Sequence, residues 1–393
     1  MTSVASPLAR LRAVTRAFDA PSDLLDARGP DGFAWLHDGS GLVTSGVAGR
    51  VAVDDVDAAL GAMDVDDPLG WPGTGPLAVG ALAFDPAAPG SLVIPTTVVG
   101  RTAEGRGWVT EVGPPAHLRV PAPAATRPTR WRIDRDADEE RWRTMVGQAL
   151  RAIDAGELEK VVLARAVVVE ADAPFPVSAL LARLQDAQPG CFVHHAEGLL
   201  GASPELLVRR VGQRVESRPL AGTTRARVGA LSALRDSVKD SREHRLVVDG
   251  VLEALAPVCD ELNAAREPDA VTFSSIVHLE TPVHGQLSEP AASALDLARR
   301  LHPTPAVAGT PRDVALTVIA ALEPDRGRYA GPVGWVDARG DGEWAVALRG
   351  AELNGNRAVL RAGAGIVAGS DADAEWAETQ AKLEPMLHAL ICA

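Results

Sequence analysis

Residues 331–367, GPVGWVDARGDGEWAVALRGAELNGNRAVLRAGAGIV, constrain the fold more than any other part of the chain. Three strand-like runs are separated by Asp341-Gly342 and Asn354-Gly355. Both dipeptides tolerate positive φ and favour tight hairpin turns, so successive strands should pair antiparallel. Helical patterns are interspersed elsewhere, and the combination predicts an α+β fold with antiparallel sheets rather than a parallel doubly wound one.

The remaining elements follow from periodicity and punctuation. DADEERWRTMVGQALRAIDAG places Trp142, Met145, Val146, Ala149, Leu150 and Ile153 at helical spacing, with acidic residues in the first turn and Gly156 past the end. KVVLARAVVVEA reads as a strand starting at Lys160, and VSALLARLQDA as a short helix. CFVHHAE, LLGASPELLVRR and RVESRPLAG are further strand-like runs. A long helix is expected over 239–262, a strand over VTFSSIVHLETPVHGQL, helices on both sides of LHPTPAVAGTP, and a last helix over 371–390. Residues 1–130 hold short apolar runs broken by Gly, Pro and Asp, read as strands and turns. The proline-rich VGPPAHLRVPAPAATRPTRW then acts as a connector.

Composition narrows the partners. The 393 residues include 39 Lys plus Arg against 52 Asp plus Glu, a formal charge of −13. Nucleic acid and anionic membranes both need clustered positive charge, so neither is expected. No segment approaches the ~18 uninterrupted apolar residues of a membrane span. The N-terminus MTSVASPLARLRAVTRAF lacks the apolar core of a signal peptide. Cys191, Cys259 and Cys392 are scattered, with neither a CxxC pair nor a disulfide framework. A cytoplasmic protein is expected.

Two acidic pairs need a reason. Glu375, Glu378 and Lys382 lie three and four residues apart and share one face of the last helix; Asp240 and Glu243 share a face of the long helix. Asp240 and Glu243 could simply complement a helix N-terminus, and Glu378 could be balanced by Lys382 at i+4. Two pairs, one per helix, could equally supply oxygen ligands to one hard cation such as Mg²⁺. Spacing alone leaves both readings open.

The surrounding words favour the second. EKVVLAR, GASPELLVRR, SRPLAGTTRAR, KDSREH, HLETPVHGQL, LHPTPAVAGTPRDVA, EWAVALRGAEL and RAGAGIVAGSDADAEWAETQAKL occur in this order. The pattern over 141–387 resembles the chorismate-utilising enzymes, and within them the isochorismate synthases. The resemblance implies a single large domain over 1–393, its antiparallel sheets packed together and flanked by helices. Residues 1–130 would be a variable part of that domain and 140–390 the motif-bearing part.

It also implies a site. Mg²⁺ would lie between Glu243 and Glu378, with Asp240 and Glu375 as outer or water-mediated partners, and would meet the ring carboxylate of chorismate. Gly222 and Thr223 of LAGT would grip that carboxylate through backbone N–H groups. Arg349, Gly363, Tyr329 and Lys382 would meet the enolpyruvyl carboxylate, and His278 would stand near the migrating hydroxyl. Lys160 would take a proton from the attacking water while Glu205 protonates the leaving hydroxyl. Free Lys titrates near ~10.4 and Glu near ~4.3, and burial shifts each toward the neutral form those roles need.

Alternatives remain within the resemblance. Salicylate synthases share Lys160 and Glu205 but go on to eliminate pyruvate. Anthranilate and aminodeoxychorismate synthases use ammonia and usually pair with an amidotransferase; here no such subunit, and a monomer, are expected. The product would feed menaquinone, a siderophore or another aryl acid. A chorismate sensor would be expected to have lost Lys160 or Glu205, and both are present. A metal hydrolase would want a tight His motif, whereas His194 and His195 alternate across a strand.

Overall fold

Residues 331–367 form four strands where three were expected: Pro332–Asp337, Gly342–Val346, Gly350–Asn354 and Arg357–Val367. Gly355 turns the last hairpin at φ 58°, but the first turn is carried by Gly340, at φ 82°. Gly342 is already in its strand, where a Cβ would stand 2.3 Å from the Trp335 carbonyl oxygen. The unforeseen break lies at 347–349, where Arg349 adopts φ 49°. An unbroken apolar run hides a break made by backbone conformation rather than by Gly or Pro.

The computed structural model describes residues 11–114, 127–134, 139–225, 229–273 and 276–391. Among the described residues, two large sheets, of 13 and nine strands, and a small three-stranded one carry the fold. Pairing is antiparallel throughout, except where Arg12–Ala17 runs parallel to Asp64–Asp66. Residues before 130 complete both large sheets: Ala34–His37 pairs with Phe192–Ala196, and Leu77–Ala81 with Pro332–Asp337. The facing sides bury Phe33, Trp35 and Phe192 against Val79, Trp335 and Ala345. Trp35 Nε1 donates to Glu343 Oε2 at 2.7 Å, tying one sheet to the other. The outer side of the larger sheet packs Val167 and Leu360 against Leu181 and Leu184 of the helix Val177–Ala187 and Leu383 and Met386 of the last helix. Together these make an α+β domain of antiparallel sheets and flanking helices. Among the described residues, no helix is long and apolar enough to cross a membrane.

Two expectations over the middle of the chain are corrected. The long helix is Val238–Leu255, and Cys259–Ala264 is a strand. Pro257 ends the helical pattern. The run expected as one strand holds three: Asp269–Phe273, Ile276–Glu280 and Val283–Leu287. Part of the proline-rich connector, 115–126, lies outside the described residues.

The last helix, Ala372–Ile391, is anchored by the helix Glu139–Asp154. Trp142 is fully buried, packs at a tilt on Trp376 with ring centroids 6.2 Å apart, and donates Nε1 to the Ala372 carbonyl at 3.0 Å. Truncating Trp142 to Ala removes a buried indole and its hydrogen bond. It should destabilise the protein by about 3–5 kcal/mol, read as a drop in urea midpoint; Trp142→Phe should recover most of the loss. A Trp142→Ala midpoint equal to wild type would show the anchor to be unimportant.

Candidate active site

The strand Lys160–Ala171 pairs with Arg357–Val367 from Lys160↔Val367 to Glu170↔Arg357. On its other side the first residues meet Gly309–Thr310. A lysine at a strand end is usually solvated, but with neighbours on both edges Lys160 is 0% exposed. Its Nζ stands 3.0 Å from Glu243 Oε1 and has no further hydrogen-bond partner. The Gly-Ala-Gly segment above it is a spatial requirement. A Cβ on Gly365 would come within 2.2 Å of Glu243 Oε1 and 3.0 Å of Lys160 Cε; one on Gly363 would meet the Leu163 carbonyl oxygen at 2.9 Å and the Tyr329 hydroxyl at 3.3 Å. Gly365 was not singled out from sequence, although it shares a strand face with Gly363 two residues away.

The helix Val238–Leu255 begins at Ser237, whose hydroxyl accepts the Asp240 backbone N–H at 3.2 Å. Two turns of acid and base then face the last helix. Lys239 Nζ lies 2.6 Å from Glu375 Oε1, Lys382 Nζ lies 2.7 Å from Glu378 Oε1, and Lys382 also donates to the Gly363 carbonyl at 3.0 Å. Burial pushes the Glu243 carboxyl up, but Lys160, Lys382 and Lys239 together hold it below its ordinary value. Burial raises Glu378, with Lys382 opposing and the like charges of Glu375 and Glu243 adding to the rise. Burial also raises Asp240, with a further push from Glu243.

Glu205 sits where the chain passes from Leu199–Ser203, in the larger sheet, to Leu206–Val211, in the smaller. Arg349 sits where it passes back, between Gly342–Val346 and Gly350–Asn354. The two crossings are bonded to one another: Ser203 Oγ donates to the Val346 carbonyl at 2.6 Å, and the Val346 N–H donates to the Glu205 carbonyl at 3.2 Å. The Glu205 side chain is buried, and burial lifts its carboxyl to about 8 against the opposing pull of Lys160, the Leu220 backbone and Lys382. It is therefore a neutral acid at pH 7.

Arg349 Nη2 lies 2.5 Å from His278 Nε2, and His278 Nδ1 lies 3.1 Å from Thr223 Oγ1. A guanidinium cannot accept, so Nε2 is the acceptor and Nδ1 carries the proton. Burial, then Arg349 and Lys382, hold the imidazole well below its usual range, so it stays neutral. Sequence reasoning put His278 beside the migrating hydroxyl; it lies on the cavity wall, where its ring nitrogens also meet Arg349 and Thr223. Arg349 Nη1 is buried with no hydrogen-bond partner. Thr223 lies opposite His278 in register, and Gly222 beside it has φ 71°. Burial raises the Tyr329 phenol above its ordinary value.

These groups surround one cavity. All the predicted site residues line it except Lys160, Asp240 and Glu375. Lys160 lies just beneath, against Glu243 and Gly365. Asp240 stands behind Gly222, its Cβ 3.2 Å from where a Cβ there would sit. Glu375 is committed to Lys239. Glu243 and Glu378 thus stand at the cavity wall, with Asp240 and Glu375 behind it. Among the described residues no group of three or more His, Cys, Asp or Glu could hold a metal alone. Two hard carboxylates that repel one another suit a divalent cation that takes its other ligands from water and substrate.

Residues 116–391 match the family model described as chorismate binding enzyme. A relative from Mycobacterium tuberculosis is 42% identical over 340 residues, covering 81% of this chain and 87% of that one. Isochorismate synthase DhbC of Bacillus subtilis is 37% identical over 338 residues, covering 80% and 81%. The solved structure of MenF, the menaquinone-specific isochorismate synthase of Escherichia coli, superposes with a TM-score of 0.82 at 27% identity, over 97% of this chain and 94% of that one.

The buried acid makes a stability prediction. Below its ordinary value Glu205 is neutral in folded and unfolded chains alike. Between that value and about 8 only the folded chain keeps the proton, so its contribution is lost as pH rises through that window. Glu205→Gln does not titrate. Its melting temperature should gain on wild type progressively from about pH 5 to about pH 8.5. A gap independent of pH would show that Glu205 titrates normally.

Proposed function

The chain belongs to the chorismate binding enzymes, and from that membership and the charge arrangement of its cavity we propose that it is an isochorismate synthase, an isomerase acting on chorismate. Water bonds to ring C2, both ring double bonds shift by one position, and the C4 hydroxyl departs. Lys160 takes a proton from the attacking water; Glu205 gives its proton to the departing oxygen. One proton is gained and one lost, so the pair resets through solvent. The observation that carries this reading is Glu205, an acid that burial keeps protonated to about pH 8. Amine-forming relatives need ammonia; here water is the nucleophile and no amidotransferase subunit is required.

The remaining residues bind and orient. Arg349, with its open Nη1, Lys382 and Tyr329 hold the enolpyruvyl carboxylate. Gly222 and Thr223 face the ring carboxylate; because Thr223 Oγ1 accepts from His278, its own proton is free for the ligand. Glu243 and Glu378 would hold a divalent cation, Mg²⁺ by the oxygen character of the set. When bound, that ion would supply positive charge to the ring carboxylate and to the two glutamates.

Purified protein with chorismate and MgCl₂ should yield isochorismate, resolved chromatographically from salicylate and anthranilate. Pyruvate released in step with chorismate loss would overturn the assignment in favour of salicylate synthase. Lys160→Ala and Glu205→Gln should each lower kcat by roughly 10²- to 10⁴-fold while chorismate still binds. Near-normal rates in either variant would remove its proton role. Glu378→Ala should weaken Mg²⁺ affinity by titration; an unchanged affinity would remove the glutamate from the metal site.

A further inference from the structure

Along the strand Arg357–Val367, residues 361, 363 and 365 share a face, stepping about 6.6 Å at a time. The row has a direction. Gly365 abuts Glu243 and Lys160, the cation and proton-transfer end; Gly363 abuts the Tyr329 hydroxyl; Arg361 comes next, away from Glu243. Two glycines clear the wall, and the third member of the row carries the longest cation available. Arg361 lines the cavity.

Its guanidinium is half committed. Nη2 donates to the Asp325 carbonyl at 3.2 Å, which fixes the fork against the loop leading to Tyr329. Nη1 is buried with no hydrogen-bond partner, and no carboxylate among the described residues pairs with it. Its neighbour Arg326, also on the cavity wall, is fully occupied by Glu323 and by the Val162 and Val307 carbonyls. A buried, charged donor without an acceptor is costly, and an anionic ligand removes that cost. Arg349 Nη1 is the other cavity guanidinium nitrogen left open in this way.

We propose that Arg361 is a third cationic contact, with Arg349 and Lys382, for the side-chain carboxylate of the substrate, and so selects ring acids that carry one. The inference rests on the chorismate reading above. It gives the cavity a charge gradient: acids with a cation at the Gly365 end for the ring carboxylate, and the Arg361 guanidinium at the other end of the row for the second carboxylate.

The test uses the full chain with Arg361→Gln and Arg361→Lys. Arg361→Gln should raise KM for chorismate roughly 10- to 100-fold with a much smaller change in kcat, and Arg361→Lys should recover part of the loss. Calorimetry with two benzoate ethers isolates the contact: one bears a carboxyvinyl ether, the other an isopropenyl ether of the same shape without the charge. Arg361→Gln should weaken the first by a similar factor and leave the second unchanged. Equal weakening of both, or of neither, overturns the role of Arg361. If wild type neither converts chorismate nor prefers the charged ether, the chorismate reading itself fails, whatever Arg361 does.

Discussion

The antiparallel pairing of residues 160–170 with 357–367 brings Lys160, near the middle of the chain, under the Gly363–Gly365 segment, and the placement of every other polar group follows from it. With a strand on each edge Lys160 has no route to solvent, and its amino group must find a partner inside; Glu243 provides one at 3.0 Å. Gly365 is then obliged to lack a side chain, because Glu243 and Lys160 fill the space. The strand ends at Val367, turns through Gly369, and the last helix folds back so that Lys382 bonds the Gly363 carbonyl on the strand that launched it. One ladder of hydrogen bonds thereby fixes the floor, the wall and two charged groups of the cavity.

Charge balance explains why acids are placed side by side there. Three lysines face three glutamates in pairs: Lys160 with Glu243, Lys239 with Glu375, Lys382 with Glu378. Removing one member of a buried pair leaves an uncompensated charge, so these pairs constrain each other's positions more than they stabilise the fold. A divalent cation and a dicarboxylate ring sum to zero, so both can enter together without adding net charge to a low-dielectric site. The helical spacing that looked repulsive in the sequence is acceptable because the compensating charges come from other elements.

How much of this was legible depended on whether the cause was local. Hairpin strands, the helix over Glu139–Asp154 and the strand starting at Lys160 follow from periodicity and Gly or Asp punctuation, and they stand where expected. The break at Arg349 was not legible, because nothing in AVALRG marks a left-handed residue. Nor was the fate of Glu375: helical spacing put it beside Glu378, but only the approach of Lys239 from another helix turns it away from the cavity. Gly365 and Arg361 could have been found by extending the alternation from Gly363 in both directions. His278 illustrates the opposite limit. Its burial between Arg349 and Thr223 requires the register of a small sheet whose pairing no spacing predicts.

The position of the cavity has a topological cause. Glu205 and Arg349 lie on two of the segments where the chain leaves one large sheet for the other, and those segments hydrogen-bond to each other at Ser203 and Val346. A strand interior would direct alternate side chains into the core or onto an outer layer; a crossing can turn a side chain toward the end of the sandwich. Arg349 takes a positive φ to do so, a conformation that costs free energy in a residue with a Cβ. The cost is offset by fixing a buried guanidinium against His278 with one nitrogen left open. Glu205 shows the same exchange in charge: it is buried away from water, where its neutral form is favoured up to about pH 8, opposite the one fully buried lysine of the strand beside it. A sheet crossing and a doubly flanked strand end thus bury Glu205 and Lys160 without interrupting a ladder.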